Sequence, residues 1–317
     1  MAFQNIIKIE KPDTYLDIAF RRGRDKIALS RQKAKGPNIE RSKTIELDRL
    51  RAVRNSLFNF LDKILKSFPS LDTMPDFYKE LVKCTIDYGE TKRSLGGVKW
   101  AMENIDKFFR IYSTKIKRAR DISSINSYRR EFYGRVSSIM KQIKQELEIL
   151  EISRKIIREY PTIKTDIFTV AIFGFPNVGK STLLSKLSTS KPEIAAYPFT
   201  TKGINIGYAK QGSKKIQLLD TPGSLNRFDK MNNIEKQAHL ALKHVANAVV
   251  YIFDLTEPYP LEDQEKLYQN LKKMEKPVVV YLSKADTLEG DVVENFKKKT
   301  KAFTDVKKLE DYLFSLT

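Results

Sequence analysis

Residues 174–181 read Gly-Phe-Pro-Asn-Val-Gly-Lys-Ser, and this stretch decides the fold of the second half of the chain. It fits the phosphate-binding pattern G-x-x-x-x-G-K-S/T, whose glycines let successive backbone N–H groups point at one anion. Lys180 adds a positive charge toward the outer phosphates, and the Ser181 hydroxyl can ligate Mg²⁺. An apolar run ending at Phe173 precedes the loop and a helix can follow it, as the pattern requires. The alternative is an ordinary turn with two glycines, which the motifs described below disfavour.

From the phosphate loop onward, apolar strand-like runs alternate with helical patterns. In chain order we predict a strand ending at Phe173, a helix from Ser181, strands at 204–208 and 216–220, a helix from Ile234, a strand at 248–254, a helix at 261–274 and a strand at 277–282. Such alternation indicates a mostly parallel sheet covered by helices on both faces. Nucleotide then binds at the carboxyl ends of the strands.

The first 160 residues have helical periodicity instead. Apolar residues recur every three or four positions over 45–68, 76–88, 98–118 and 127–158. The predicted breaks are Pro37, Pro69, the pair Gly96-Gly97 and the polar stretch 121–124. An antiparallel bundle of three or four long helices is the simplest architecture. We expect Trp100 and the single cysteine, Cys84, to lie in the core of this half.

Size and composition set limits on the class of protein. The chain has 317 residues and one cysteine, so it has no internal disulfide. It has no run of eighteen apolar residues and no basic N-terminus followed by an apolar stretch, so we expect neither a membrane span nor a secretory signal. These features favour a reducing, cytoplasmic location.

The net charge of +19 is unevenly distributed. The first 160 residues hold 35 Lys/Arg against 21 Asp/Glu, whereas the remainder holds 23 against 18. A basic excess on this scale favours a polyanionic partner, and nucleic acid is the leading candidate. The basic clusters contain Arg21, Arg22 and Arg24 in one, and Lys115, Lys117, Arg118, Arg120, Arg129 and Arg130 in the other. Arginine forks with nearby tyrosines suit RNA phosphates and splayed bases, and the alternative is a pair of solvated helix faces.

Two further motifs complete a nucleotide site. Asp-Thr-Pro-Gly at 220–223 closes a predicted strand, where Asp220 can hold Mg²⁺ through water and the Gly223 N–H can approach a γ-phosphate. Between this motif and the phosphate loop, the segment 197–203 offers a hydroxyl that can complete the Mg²⁺ shell. Its alternative is a plain loop with a proline turn.

The second of these motifs, Ser-Lys-Ala-Asp at 283–286, follows an apolar strand. The Asp286 carboxylate can accept both N1–H and the exocyclic amine of guanine, which adenine does not offer, and the Lys284 stem can lie over the base. The predicted ligands are therefore GTP and GDP rather than ATP. The alternative is an aspartate that caps a helix after a strand.

Together these motifs resemble the Nog family of ribosome-assembly GTPases, within the Obg-like group. The resemblance rests on 174–181, 197–202, 220–223, 233–238 and 254–257 in the second half, and on 19–22, 68–72 and Phe77-Tyr78 in the first. It implies a GTPase in which Ser181 and Thr201 ligate Mg²⁺ and Asp220 supports them. It also implies an N-terminal helical domain that contacts large-subunit rRNA or a pre-ribosomal particle, in a protein that is a monomer off the ribosome.

The expected organisation is thus α plus α/β, with a basic, rRNA-binding helical bundle at 1–160 and a GTP-binding domain at 161–317. The residues expected at GTP are Gly174, Pro176, Asn177, Val178, Gly179, Lys180, Ser181, Thr182, Phe199, Thr200, Thr201, Asp220, Gly223, Ser283, Lys284 and Asp286. No catalytic side chain can be identified from the sequence. The expected contributions to catalysis are therefore those of the Gly223 backbone N–H and the Lys180 charge. Asn177 is a candidate K⁺ site, because the same asparagine helps hold K⁺ in several Obg-like relatives.

Three departures from the family pattern affect the expected activity. Ser283 stands where the family usually has asparagine, which weakens guanine binding by about 1–2 kcal/mol. Ser224 stands where the family usually has a hydrophobic residue, and it is not the water-orienting glutamine of Ras-like enzymes, so intrinsic hydrolysis should be slow. The last guanine-contact loop is not evident, and 303–305 is the candidate.

Three functions remain open at this point. The first is a slow GTPase switch whose helical domain binds rRNA. The second is an RNA-binding placeholder that holds nucleotide with little or no hydrolysis. The third, an ATP-driven DNA-binding protein, is disfavoured by the guanine motif.

Overall fold

The computed structural model describes residues 3–70, 73–160, 162–195, 204–220, 244–256 and 259–317. These residues divide into two compact units. The helical unit comprises the described residues of 2–71 and 85–158, and the sheet unit comprises those of 72–84 and 159–317. In the described part of the chain, no helix has the length and apolar character needed to cross a membrane.

The first half of the chain is built from helices. They are α1 (Pro12–Lys33), α2 (Asn38–Ser67), α3 (Asp76–Thr85), α4 (Tyr88–Arg118), α5 (Ile122–Gln142) and α6 (Lys144–Arg158). Local signals fix several of the ends, since the Asp87 carboxylate accepts from the Glu90 N–H at the start of α4 and Asp121 accepts from Ser124 N–H at the start of α5. The core of the helical unit is apolar and includes Leu50, Val53, Leu57, Leu61 and Ile64 of α2. The predicted helical half is confirmed.

Four sequence predictions about this half were wrong. The helix α4 runs through Gly96-Gly97, because Gly97 makes room for a neighbouring helix and does not end its own: a Cβ there would lie 2.9 Å from Glu146 Cγ. Trp100 is 42% exposed, since the buried face of α4 follows other positions such as Ala101 and Ile105. Cys84 is exposed as well, near the end of α3. The helical run predicted over 127–158 is divided at Ile143.

The sheet unit contains a six-stranded sheet within the described residues. The strands are β1 (Thr169–Phe173), β2 (Glu193–Ala195), β3 (Ile204–Gln211), β4 (Lys214–Asp220), β5 (Ala248–Phe253) and β6 (Val278–Leu282), in the spatial order β2-β3-β4-β1-β5-β6. Neighbours among β4, β1, β5 and β6 are parallel, whereas β3 is antiparallel to both β2 and β4. The helices are α7 (Lys180–Leu187), α8 (Leu261–Lys272), α9 (Gly290–Thr300) and α10 (Val306–Ser315). The predicted mostly parallel sheet is confirmed.

The register of the parallel strands brings four chain segments to one edge of the sheet. Ile172 of β1 lies opposite Asp220 of β4, and Phe253 of β5 lies opposite Leu282 of β6. All residues of β1 and β5 are buried, as expected for central parallel strands covered on both faces. The carboxyl ends of β1, β4, β5 and β6 therefore lie side by side, which is where a nucleotide site forms in such sheets.

Part of α3 belongs to the sheet unit, although it lies early in the sequence. The Tyr78 hydroxyl donates to the Ile163 carbonyl at 3.1 Å and accepts from the Ile163 N–H at 2.9 Å. Burial raises the pKa of Tyr78 to about 12, so the phenol stays protonated and can make both bonds. This pair holds α3 against the segment that leads into β1.

Candidate nucleotide-binding site

The phosphate loop starts where β1 ends, and two of its glycines are required by the geometry. A Cβ on Gly174 would lie 2.9 Å from the Ile252 carbonyl oxygen and 2.9 Å from Val178 Cγ2. Gly179, at the start of α7, has a φ of +93°, a value that glycine adopts without strain. Asn177 also lies in the left-handed region, with a φ of +62°, and it is exposed. The backbone thus curls as a phosphate cradle requires.

Lys180 folds back over this loop. It is 8% exposed, and its Nζ donates to the Phe175 carbonyl at 2.6 Å. Burial lowers the pKa of Lys180, and the charge of Asp220 opposes this shift. An ammonium has three donors, so Lys180 can keep its backbone bond and still donate to a phosphate oxygen.

Ser181 and Asp220 meet beside the loop. The Ser181 hydroxyl donates to Asp220 Oδ2 at 2.6 Å, and the Asn205 amide donates to the same oxygen at 2.9 Å. These hydroxyl and carboxylate oxygens are the hard donors that Mg²⁺ prefers, so the residues fit this ion. Asn205, which was not predicted from the sequence, lies opposite Asp220 in the antiparallel pair β3–β4. A polar residue between the apolar Ile204 and Ile206 is the signal that could have found it.

The base end of the site begins with Ser283, directly after β6. Its hydroxyl donates to the Phe253 carbonyl at 3.1 Å, and its N–H donates to the same carbonyl at 2.9 Å. Ser283 therefore ties the ends of β5 and β6 together. Asp286 is exposed in the short 3-10 turn Ala285–Thr287, with its carboxylate at the protein surface.

Lys284 forms an ion pair that the sequence analysis did not predict. Its Nζ lies 2.6 Å from Oδ2 of Asp254, a residue with no exposed side-chain surface. Burial alone would raise the pKa of Asp254, but the ion pair with Lys284 and the hydrogen bonds from Thr256 outweigh it, so the pKa is lowered. Asp254 is therefore ionised at neutral pH. A carboxylate directly after a buried strand, followed two residues later by threonine, is the available sequence signal.

The loop after β5 is held by a second buried polar residue, Gln264 of α8. Its Oε1 accepts from the Asp254 N–H at 3.0 Å, and its Nε2 donates to the Asp254 carbonyl at 2.8 Å. The Tyr251 hydroxyl donates to the Gln264 carbonyl at 2.8 Å. The N–H and the carbonyl of Asp254 thus both bond to the side-chain amide of Gln264. These two bonds fix the backbone position of Asp254, and with it the position of its Cα.

The candidate last loop, 303–305, runs beside the end of β6. Phe303 accepts from the Leu282 N–H at 2.8 Å and donates to the Val280 carbonyl at 2.9 Å. The Asp305 carboxylate accepts from the Lys308 N–H at 2.9 Å and so caps α10. This segment is therefore adjacent to Ser283 in the sheet, while the Asp305 side chain is engaged in the cap.

The structure brings the phosphate loop, Asp220 and 283–286 to one edge of the sheet. The sequence-predicted residues Phe199, Thr200, Thr201, Gly223 and Ser224 lie outside the described residues, as do the segment 233–238 and the predicted helix from Ile234. Pro176, Asn177, Val178 and Thr182 lie in the loop or the first turn of α7, and Val178 is fully buried.

The basic residues of the helical unit differ in how strongly they are held by their own chain. Arg22 donates to Ser56 Oγ at 3.0 Å, and Arg129 lies 3.6 Å from the Glu46 carboxylate. Lys115 lies 3.7 Å from Glu131 and over the rings of two tyrosines. The exposed cations of the two clusters include Arg21, Arg24, Lys117, Arg118, Arg120 and Arg130. Lys117, Arg118 and Arg120 lie at the junction of α4 and α5, and Arg130 lies within α5.

Comparison with known proteins identifies both halves. Residues 3–164 match the family model of the NOG1 N-terminal helical domain, and residues 169–284 match the model described as 50S ribosome-binding GTPase. An uncharacterized protein of Methanocaldococcus jannaschii is 38% identical over 296 residues, which cover 92% of this chain and 83% of that protein.

Nucleolar GTP-binding protein 1 of Saccharomyces cerevisiae is 31% identical over 278 residues, which cover 84% of this chain and 43% of the yeast protein. The chain thus spans less than half the length of this relative. A solved structure of nucleolar GTP-binding protein 1 from Plasmodium falciparum is 24% identical with a TM-score of 0.39, covering 50% of this chain and 89% of that chain. From the family model and the relatives, the chain belongs to the NOG1 family and carries its N-terminal helical domain together with a GTPase domain.

Proposed function

We propose that this chain binds GTP and GDP with Mg²⁺, hydrolyses GTP slowly, and serves as a cytoplasmic assembly factor for the large ribosomal subunit. The observation that carries the nucleotide part is the Ser181–Asp220 pair, at 2.6 Å, beside a loop over which Lys180 folds. A hydroxyl and a buried ammonium on one loop, with a carboxylate from the neighbouring strand beside them, match the needs of a nucleotide–Mg²⁺ complex.

In this proposal each residue has a distinct task. The loop 174–181 holds the phosphates through its N–H groups, and Lys180 neutralises their charge. Ser181 and Thr201 would hold the Mg²⁺ and Asp220 would support it, and the ion would supply charge neutralisation toward the phosphates. Asp286 reads the guanine edge. Since no side chain is assigned to activate water, turnover in the free protein should be slow.

The helical unit supplies the proposed rRNA contact, in a protein that is a monomer when free of the ribosome. Lys117, Arg118 and Arg120 are exposed where α4 ends and α5 begins, and they form the core of the proposed surface. Arg130 adds a fourth exposed cation. Cations that are not held by their own chain can release counterions from RNA phosphates on binding.

Co-sedimentation with immature and mature large subunits, each with GDP or a non-hydrolysable GTP analogue, tests this proposal. We expect nucleotide-dependent binding to the immature particle. The triple variant Lys117→Gln, Arg118→Gln, Arg120→Gln should weaken binding and reduce the slope of log affinity against log salt by about 2 to 3. The matched control replaces three other exposed cations of the helical unit, Lys63, Arg93 and Lys141, by glutamine. Equal loss in both variants would refute a localised surface.

A second candidate function, a nucleotide-holding RNA-binding placeholder, is favoured by one specific observation. The Ser283 hydroxyl donates to the Phe253 carbonyl, so it is committed to the backbone where asparagine would offer further donors. GTP turnover measured with and without immature particles separates the two functions. Particle-stimulated hydrolysis supports the switch, whereas saturable GTP binding without it supports the placeholder. If K⁺ acts at Asn177, turnover should be faster in K⁺ than in Na⁺.

A further inference from the structure

We propose that Asp254 is the residue that positions Lys284 in the guanine site, and that this ion pair takes over part of the ordering that asparagine would supply at position 283. The inference rests on the proposed guanine-nucleotide function. It concerns a buried residue outside the phosphate loop and outside the segment 283–286.

The first observation is the conformation of Lys284. Its φ is +52°, in the left-handed region, a backbone conformation that residues other than glycine rarely adopt. The chain therefore turns sharply just after β6. The Lys284 side chain is 37% exposed, yet its ammonium lies 2.6 Å from a carboxylate oxygen with no exposed surface. The stem is therefore fixed at its Cα and at Nζ. A stem held at both ends presents a defined apolar face to a base stacked on it.

The second observation is how firmly Asp254 is itself held. Oδ1 accepts from the Thr256 N–H at 2.8 Å and from the Thr256 hydroxyl at 2.7 Å, while Oδ2 meets Lys284. The two backbone groups of Asp254 bond to Gln264. One carboxylate oxygen is thus used to orient the side chain, and the other is left for the lysine. This division fits a positioning residue better than a general stabilising charge.

The third observation is that the hydrogen-bond donors of Ser283 are already used within the protein. Both its N–H and its hydroxyl donate to the Phe253 carbonyl. A serine hydroxyl has one hydrogen to donate, so none is left to bridge from Ser283 to the phosphate loop or to the nucleotide. The order of the base site then depends on the neighbouring residue, Lys284, and through it on Asp254.

The variant Asp254→Asn tests this role, because an asparagine Oδ1 can still accept both Thr256 bonds while its amide gives Lys284 no charge. We expect GDP affinity, measured by calorimetry with Mg²⁺ in excess, to fall about tenfold, the usual scale for a lost charge-assisted bond. The preference for GDP over ADP should fall with it. Glu294→Gln is the matched control, since it neutralises the carboxylate of another ion pair of the same unit, Glu294–Lys297 within α9, and it should keep GDP affinity within about twofold.

A double-mutant cycle with Lys284→Met distinguishes two roles of Asp254. In one, Asp254 positions Lys284 for the nucleotide. In the other, Asp254 stabilises the fold independently of Lys284. If Asp254 acts through Lys284, Asp254→Asn should have no further effect on GDP affinity in the Lys284→Met background. An equal loss in both backgrounds, or wild-type affinity in Asp254→Asn, would overturn the inference. If Asp254→Asn does not fold, Lys284→Met alone is informative, because unchanged GDP affinity would again overturn it. If the folded wild-type protein does not bind GDP, the proposed function itself fails.

Discussion

The phosphate end and the base end of the candidate site are built in different ways. At the phosphate end, Gly174, Lys180 and Ser181 come from one short stretch of sequence, and Asp220 joins them from the neighbouring strand. At the base end, the contacts join distant parts of the chain: Ser283 bonds to Phe253, which lies thirty residues away in the sequence. The conformation of the phosphate loop is therefore determined by local backbone geometry, whereas the base end is assembled from side-chain contacts between the loops that follow β5 and β6.

This difference has a consequence for how each end tolerates change. The phosphate loop loses its conformation when a glycine with a required positive φ is replaced. No change of a neighbouring side chain can restore that backbone conformation. A long-range polar network can be tuned by single side chains, since each contact contributes on the order of 1 kcal/mol. Single substitutions at each end can therefore test the two kinds of construction separately.

The largest effect is expected from Gly174→Ala. The new Cβ would lie 2.9 Å from a backbone carbonyl oxygen, which cannot move without shifting β5, and the φ of +155° is strained for alanine. We expect a loss of about 3 kcal/mol in stability and the loss of nucleotide binding. Thermal unfolding of the nucleotide-free protein measures the first effect, and GDP calorimetry measures the second.

Gly134→Ala is the control for this prediction. Gly134 lies within α5, and a Cβ there meets nothing within 4 Å, so alanine should stabilise its helix by about 0.5–1 kcal/mol. Similar melting temperatures for the two variants would contradict the claim that the loop requires glycine at position 174.

Lys180→Met separates binding from stability at the phosphate end. Burial lowers the pKa of Lys180, which means that its charged form is disfavoured in the nucleotide-free fold. Methionine removes this cost, so the nucleotide-free protein should melt at the same temperature or higher. GDP affinity should fall by about a hundredfold, the scale for lost charge-assisted bonds to phosphate. A variant that both melts much lower and binds weakly would show that Lys180 supports the fold instead.

The same contrast explains how far the sequence could be interpreted. The phosphate loop and the mostly parallel sheet were predictable, because they depend on short patterns of glycine and apolar residues. The sequence offers signals for Asn205 and Asp254, but not their partners, since each partner depends on which strands become neighbours. The helix α9 was also missed, because among its residues only Phe296 is buried and its few apolar residues, Val292, Val293 and Phe296, do not form a long helical pattern.

The errors in the helical half have a related origin. Gly96-Gly97 has the composition of a break, yet the packing of α4 against α6 uses Gly97 as a point of close approach. Trp100 has the hydrophobicity of a core residue, yet it lies off the buried face of α4. In both cases the local preference was overruled by how helices pack, which one sequence does not reveal.

The smallest effect, and the one that sharpens the comparison most, is expected from Ser283→Asn. A Cβ on Gly179 would lie 3.8 Å from Ser283 Cβ, so the phosphate loop is within reach of a longer polar side chain at this position. Asparagine could then bridge the two ends of the site, and GDP affinity should rise by about three- to tenfold through one added hydrogen bond. Calorimetry with GDP and ADP measures this gain and whether it is specific to guanine. In the variant, Asp254→Asn should cost less than in the wild-type protein, because the added bridge would share the task of ordering the base end. An affinity that falls instead would indicate that Ser283 is required where it is, as the link between β5 and β6.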